Sequence, residues 1–281
     1  MPLFHVIPGL VHRYVPCAWV VLICLIGGVP CSFSQEATIT NHLGMTFIRV
    51  APGTFQMGSP ETEPHRKSNE PRHRVEITSA FYLQETEVTL EQWQAVMGKS
   101  WLLKRRGGPR TPVTRVSFYD CQKFIRKLNK AGTAQYRIPT EAEWEYACRA
   151  GTDTAYSWGD DTDCSLAMYG NSLNRHAVCS PYYRSKGLPV NMPAPVKSFA
   201  PNPWGFYDMH GNVWEWCSDE YTDDIREPGV NTYDLFSARP RVRRGGSWYL
   251  YDRFMRSANR TYAHPGARFH TTGFRLIIET P

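Results

Sequence analysis

The sequence lacks the features that mark several large protein classes. It has no tandem repeat of fixed period and no low-complexity segment, and beyond its N-terminus it has no apolar run that could cross a bilayer. Its 32 basic and 26 acidic residues leave a net charge of only +6, so we expect no nucleic-acid partner and no membrane partner beyond the N-terminal segment. A hydrophobic content of 42% with 9 Trp excludes a disordered chain, a coiled coil and collagen.

Several catalytic and metal-binding motifs are also missing. The chain contains no C-x-x-C pair, which weakens zinc-ribbon and thioredoxin interpretations, and its histidines show no H-E-x-x-H or other metal-ligand spacing. It has no phosphate-binding glycine loop and no G-x-S-x-G elbow, so nucleotide hydrolysis and serine hydrolase chemistry are not indicated. Function must therefore be sought in less common patterns.

The N-terminus has the composition of an export signal. In residues 1–34 the only formally charged side chain is Arg13, and an apolar run extends from Val15 to Val29. Small residues at Ser32 and Ser34 suit a cleavage site. We predict a signal peptide at 1–34, one domain at 35–281 and a secreted or periplasmic protein; the alternative is anchoring by an uncleaved N-terminal segment.

Export makes disulfide bonds feasible, so the cysteines that remain after cleavage matter. Of the 8 Cys in the sequence, five lie in the predicted mature chain. Cys164 and Cys179 flank a loop-like stretch and are one candidate pair, and Cys148 with Cys217 is a second. Cys121 lies inside a helical pattern and is interpreted as a buried thiol.

The mature chain shows both helix and strand patterns. Helices are predicted after Thr89, Ser117 and Thr140, each of which is followed three residues later by a side chain suited to a capping interaction. Alternation predicts a hairpin at Met45–Met57 that turns at Pro52-Gly53. Further strand-like segments are Val75–Val88, Arg241–Trp248 and Gly273–Ile278, and 152–245 reads as mostly irregular. The pattern predicts a single α+β domain.

An ordered set of motifs resembles the formylglycine-generating enzyme family, also called sulfatase-modifying factors. The similarity covers about residues 41–278. It implies a C-type-lectin-related α+β fold with much irregular structure. The motifs that carry it are, in order, GMTFIRVAPGTFQMGS, YRIPTEAEWEYACRAGT, NPWGFYDMHGNVWEWCSDEY, RVRRGGSW and GFRL.

The resemblance implies a copper site whose cysteines this chain does not have. Members of the family oxidise a sulfatase cysteine to formylglycine with two cysteines that bind Cu(I), a soft ion that prefers thiolates. Those cysteines lie three and eight residues after the Ser of the GGS motif. Here Ser247 places Leu250 and Met255 at the two positions, and no Cys follows Cys217. We therefore expect no catalytic residue of this kind and no copper, as in a pseudoenzyme.

The resemblance also implies a structural calcium site. Asp208, Gly211, Val213 and Glu215 match a family site in which two side chains and two backbone carbonyls bind the ion. Calcium accepts this mixture of oxygen ligands. In an extended stretch, positions 211, 213 and 215 point to one side. The alternative is that Asp208 caps a turn and that Glu215 pairs with a nearby arginine.

The same resemblance suggests a ligand groove. Trp248, Tyr249, Arg256 and Arg260 are its candidate residues, and for the arginines the alternative is a role in salt bridges. We predict a secreted domain that binds a polypeptide or small-molecule ligand without cysteine oxidase activity. Two alternatives stay open: an enzyme of the same family with different oxidative or metal-dependent chemistry, and a non-catalytic partner of sulfatases.

Overall fold

The structure is a computed structural model of the 281-residue chain, described for residues 37–98, 107–132, 134–223 and 239–279. These residues belong to one compact unit that spans 36–281. The predicted signal peptide at 1–34 lies outside the described residues. Within the described ranges, no helix is both long and apolar enough to cross a membrane.

The described residues form short elements joined by long connections. The helices are α1 (Leu90–Met97), α2 (Phe118–Ala131), α3 (Glu141–Arg149) and α4 (Ser180–Ser185), with a 3₁₀ turn at Asp252–Phe254. The strands are β1 (Thr38–Thr40), β2 (Thr46–Val50), β3 (Gly53–Met57), β4 (His73–Ile77), β5 (Phe81–Gln84), β6 (Tyr136–Arg137), β7 (Trp214–Glu220), β8 (Arg241–Arg244), β9 (Thr261–Ala263), β10 (Thr272–Gly273) and β11 (Ile277–Glu279).

The strands form three sheets that connect distant parts of the chain. The five-stranded sheet has the order β1-β2-β5-β11-β6, so the last strand described lies inside the sheet, between β5 and β6. The four-stranded sheet has the order β10-β7-β8-β9, and β7 and β10 run parallel. The remaining sheet pairs β3 with β4. These pairings bring the C-terminal motifs beside the first strands of the domain.

The prediction of a hairpin at Met45–Met57 is wrong. Both strands exist, but β2 pairs with β1 and β5, whereas β3 pairs with β4 along Gly53–Met57 and His73–Ile77. Alternation of apolar and polar residues identifies a strand but not its neighbour, because the neighbour is set by which apolar faces meet in the core.

The three predicted helix starts are confirmed. Thr89, Ser117 and Thr140 each accept a hydrogen bond from the backbone amide three residues later, and the side chain at that later position bonds back to the cap. These reciprocal bonds satisfy amide groups that a free helix end would leave without partners. The predicted apolar face of α2 is buried through Phe118, Cys121, Phe124, Ile125 and Leu128.

The irregular stretch after α3 is held together by a disulfide and by one short helix that the sequence patterns did not predict. Cys164 and Cys179 are bonded to each other. The hydroxyl of Tyr183 in α4 donates to the carbonyl oxygen of Ala167 at 2.7 Å and accepts from the amide of Tyr169 at 3.0 Å. These hydrogen bonds hold the segment around Ala167 and Tyr169 against α4.

The second predicted disulfide does not form. Cys148 and Cys217 are both buried free thiols, as is Cys121. Cys148 and Cys217 lie in one apolar cluster together with Trp144 and Phe206, so they serve as small packing side chains.

Candidate functional site

Leu250 and Met255 follow a tight backbone turn at Gly245-Gly246. Both glycines have positive φ angles, 95° and 77°, a region that favours glycine. A Cβ on Gly246 would lie 2.8 Å from Cβ of Met255, so this glycine lets Met255 pack directly against the turn. The Met255 side chain is 0% exposed, whereas Leu250 is half-buried. One of the two positions is therefore a core residue.

The segment that carries Leu250 is fixed by a neighbouring loop. The amide of Gly170 donates to the carbonyl oxygen of Leu250, and the amide of Asn171 donates to that of Trp248, both at 2.8 Å. Trp248 in turn donates its own amide to the carbonyl oxygen of Asn212 at 2.8 Å. Trp248 is buried and Tyr249 is half-buried. Of these two groove candidates, only Tyr249 has substantial surface.

Arg256 and Arg260 do not line a groove. Both are buried, and each forms ion pairs inside the protein. Arg256 pairs with Glu63 and Glu70, and Arg260 pairs with Glu141. A buried guanidinium requires such partners because the loss of its hydration must be offset. The salt-bridge alternative holds for both residues.

Arg244 belongs to the same internal network, and the sequence patterns did not identify it. It is fully buried and pairs with Glu141 and Glu145 of α3, while Arg149 pairs with Glu145 at 2.8 Å. Glu145 also accepts a hydrogen bond from the amide of Gly58 at 2.9 Å. Although burial alone would raise the pKa of Glu145, Arg149 and Arg244 lower it below its ordinary value. The network joins α3, β8 and the end of β3.

Glu215 of the proposed calcium set is bound by an arginine. Its two oxygens accept from Nε and Nη2 of Arg275, both at 2.7 Å, and one oxygen also accepts from Nε1 of Trp144 at 2.8 Å. Glu215 and Arg275 are both fully buried. The predicted alternative, in which Glu215 pairs with an arginine, is therefore realised in the structure. A carboxylate oxygen has a second lone pair, so this pairing does not by itself prevent contact with a cation.

The backbone from Asp208 to Asn212 is not extended, whereas the prediction assumed an extended stretch over positions 211, 213 and 215. Asp208, Gly211 and Asn212 have positive φ angles of 58°, 89° and 53°, and the strand begins only at Trp214. A Cβ on Gly211 would lie 2.5 Å from the carbonyl oxygen of Met168, which explains a glycine at this position. The simple alternation assumed for positions 211, 213 and 215 therefore fails at Gly211.

Glu87 is a buried carboxylate that the sequence patterns missed. Its side chain is fully buried, and neither of its oxygens has a hydrogen-bond partner among the described residues. Burial raises the pKa of Glu87 well above its ordinary value, and the nearby charges of Asp208 and Glu215 raise it further. Burial also raises the pKa of Asp208 to about 6. Three buried carboxylates thus share a region in which Arg275 is the buried cation.

A bound cation would favour the charged forms of these buried carboxyl groups, whose oxygens are suitable ligands. Across the described ranges, no three His, Cys, Asp or Glu side chains converge in a geometry that would hold a metal ion. A site here would therefore depend on backbone carbonyls in addition to Asp208 and Glu215. Calcium accepts such a donor set, whereas zinc and copper favour nitrogen and sulfur.

The free thiols of Cys148 and Cys217 are poor nucleophiles. Burial raises the pKa of Cys148 to about 12 and that of Cys217 well above its ordinary value. Sγ of Cys148 lies 3.6 Å from Nε2 of His210, but burial lowers the pKa of His210 to about 4. The histidine is therefore neutral at pH 7 and does not stabilise a thiolate as an imidazolium would.

The family match and the similar proteins indicate the same family. Residues 34–280 match the family described as the Sulfatase-modifying factor enzyme 1-like domain. The formylglycine-generating enzyme of Streptomyces coelicolor is 34% identical over 196 residues, which are 65% of this chain and 59% of that enzyme. The chain thus matches less than two thirds of the length of this relative.

Two solved structures share the fold. PvdO from Pseudomonas aeruginosa has a TM-score of 0.72 and 27% identity, with 88% of this chain and 100% of PvdO covered. Treponema denticola variable protein 1 has a TM-score of 0.69 and 27% identity over the same shares of the two chains. The predicted α+β fold of formylglycine-generating-enzyme type is confirmed.

Proposed function

This chain belongs to the Sulfatase-modifying factor enzyme 1-like domain family, and from that membership we propose that it is a ligand-binding domain without formylglycine-generating activity. The observation that carries the proposal is Met255, a fully buried thioether at a position where the family resemblance places a copper-binding cysteine. A thioether is a weak ligand that forms neither a thiolate nor a disulfide. Leu250 at the other position has no ligand atom at all.

Among the described residues, no other thiol is suited to this role. Cys121, Cys148 and Cys217 are buried, and Cys164 and Cys179 are bonded to each other. The chemistry of the family requires a thiolate that copper, oxygen and substrate can reach. A buried thiol with a raised pKa is unsuited to this chemistry.

The surface beside these positions supports ligand binding. Tyr251 is 38% exposed, and Tyr249 is half-buried on the same segment. Aromatic side chains with a polar group are common in protein recognition sites because they bury a large area at low entropic cost. We propose that the ligand is a polypeptide or a small molecule, and that the domain acts after export.

A sulfatase is one candidate ligand, and a peptide with the C-x-P-x-R sequence tests it. The purified protein is incubated with this peptide, Cu(I) and oxygen, and the peptide mass is measured over time. We expect no conversion of the cysteine to formylglycine. Conversion would overturn the proposal. Binding of the peptide without conversion would identify the domain as a non-catalytic sulfatase partner, and absence of binding would exclude that role.

We also propose a structural calcium ion. Asp208, Glu215 and the carbonyls of Gly211 and Val213 would hold it. The buried carboxyl group of Glu87, whose pKa is raised by burial, lies near both side chains, and a bound cation would favour its charged form. When bound, the ion supplies positive charge to this buried acidic region and stabilises the turn that precedes β7. The residues of the chain keep the positions described above, with Arg275 as the fixed partner of Glu215.

A further inference from the structure

Two side-chain rings in tilted contact lie at the surface where two loops meet. The rings of His176 and Tyr251 have centroids 3.5 Å apart and an interplanar angle of 36°. His176 belongs to the loop that follows Gly170, and Tyr251 follows Leu250. The hydrogen bond from Gly170 to Leu250 holds these two loops together at their bases. The ring pair therefore covers the junction directly outside Leu250.

Two exposed arginines flank this pair. The guanidinium of Arg253 lies 5.0 Å from the ring centroid of Tyr251, and that of Arg175 lies 5.7 Å from that of Tyr249. Neither arginine has a carboxylate within salt-bridge distance among the described residues. The carboxylate of the nearby Asp252 accepts a hydrogen bond from the backbone amide of Arg253 at 2.8 Å. A guanidinium has five N–H donors, so both arginines keep donors for a ligand.

The positive charge of the arginines also lowers the pKa values of neighbouring groups. Burial lowers the pKa of His176, and Arg175 and Arg253 lower it further. Burial likewise lowers the pKa of Lys67, and Arg256 and Arg253 add to this effect although Glu70 opposes it. Like charges that lie close together repel each other, and an anionic ligand would reduce the repulsion between Arg175, His176 and Arg253.

The loop that carries Arg175 and His176 is held in place before any ligand binds. Ser172 and His176 exchange backbone hydrogen bonds at 2.8 and 2.9 Å, and the Cys164–Cys179 disulfide closes the segment around them. A loop with a fixed conformation loses less entropy on binding than a flexible one. The same loop exposes Leu173 and Val178, which are 53% and 68% accessible.

We propose that this surface, made up of Leu173, Arg175, His176, Tyr251 and Arg253, binds an acidic segment of a protein partner. Carboxylates of the segment pair with the two arginines, and its apolar or aromatic side chains pack on Leu173 and the rings of His176 and Tyr251. Aromatic and arginine side chains beside apolar ones are the composition of protein interface centres. The inference rests on the proposed binding function and deepens it, because it disfavours a ligand with a basic residue such as C-x-P-x-R.

Short synthetic peptides that combine Asp and Glu with Leu and Tyr are the probe. Their matched controls carry Asn and Gln in place of Asp and Glu, and binding is followed by fluorescence anisotropy at two salt concentrations. We expect the acidic peptides to bind with an affinity that falls as the salt concentration rises. The amide peptides should bind at least about tenfold more weakly. Equal binding of the two sets would overturn the proposal.

Variants locate the binding to this surface. Arg175→Gln and Arg253→Gln should each weaken binding of the acidic peptides by about three- to tenfold, since each removes a charge-assisted contact. The control Arg126→Gln removes the same charge from the exposed side of α2 and should leave binding unchanged. An equal loss in the control would contradict the proposal. Thermal melting confirms that each variant is folded.

A sulfated oligosaccharide is the competing anionic ligand. If it binds and depends on Arg175 and Arg253 while the acidic peptides do not bind, the proposed protein partner is wrong. Failure of the proposed function is a separate result, because it would appear as oxidation of the C-x-P-x-R peptide whether or not the acidic peptides bind.

Discussion

The carbonyl oxygen of Met255 accepts a hydrogen bond from Nδ1 of His210 at 2.7 Å. The other ring nitrogen, Nε2, lies 3.1 Å from the amide nitrogen of Ser157, which donates to it. Because Nε2 accepts, the neutral ring carries its proton on Nδ1. The position that corresponds to a copper-binding cysteine is thus tied through its backbone to a buried neutral histidine.

This histidine should make stability depend on pH. The unfolded chain takes up a proton at His210 near pH 6.5, but the folded chain does so only near pH 4, because burial lowers the pKa. The free energy of unfolding should therefore fall as the pH drops through this window, by about 3 kcal/mol from this residue. His210→Asn, which keeps a donor for Met255 but does not titrate, should flatten the pH dependence. The free energy of unfolding of both proteins is measured with urea at several pH values. The same pH dependence in the variant and in the unaltered protein would contradict this assignment.

The buried pair of Arg275 and Glu215 should contribute strongly to stability. Arg275→Met leaves the carboxylate of Glu215 without its bidentate partner, and we expect a loss of about 3–5 kcal/mol in the free energy of unfolding. Arg268→Met is the matched control, since this arginine pairs with Asp120 but is 57% exposed. The control should cost no more than about 1 kcal/mol in denaturant unfolding. Similar losses in the two variants would show that burial of the Arg275 pair is not decisive.

The Cys164–Cys179 disulfide should stabilise the loop that carries Arg175 and His176. It joins residues separated by 15 positions, and its loss through Cys164→Ser/Cys179→Ser should lower stability by about 3 kcal/mol. A reductant should lower the melting temperature of the unaltered protein to that of the variant and leave the variant unchanged. If reductant has no effect on the unaltered protein, the bond is absent or does not contribute.

Calcium should raise the melting temperature if the acidic region around Asp208 binds it. Binding to the folded state alone adds about 2.7 kcal/mol at a hundredfold excess over Kd. Asp208→Ala should remove the difference between calcium and chelator, and Glu87→Gln should reduce it. Asp163→Asn, at an exposed loop carboxylate, is the control and should keep the full response. Equal melting of the unaltered protein with calcium and with chelator would eliminate the site.

Local signals in the sequence predicted the helices well. Thr89, Ser117 and Thr140 define helix starts because a capping interaction involves only residues a few positions apart. The short helix α4 has no side-chain hydrogen bond at its N-cap, Cys179, and was missed. The family resemblance added the fold, which none of these local patterns could have identified.

Long-range partners could not be read from the same signals. Arg256 looked like a groove residue, yet its partner Glu70 lies 186 positions away in the chain. The pairing of β3 with β4 instead of β2 is decided by the packing of entire sheets. Glu87 lies two residues after Glu85 and shows no distinguishing pattern in the sequence, so its burial beside Asp208 and Glu215 becomes visible only when the fold is formed.

The most direct test of the account is a Cu(I) titration under reducing, oxygen-free conditions against a competing chelator. The Streptomyces coelicolor relative serves as the reference protein. Because Leu250 and Met255 provide no thiolate, the account predicts no stoichiometric Cu(I) uptake by this protein. Tight binding of one Cu(I) per chain would contradict it and would require a copper site built from other residues.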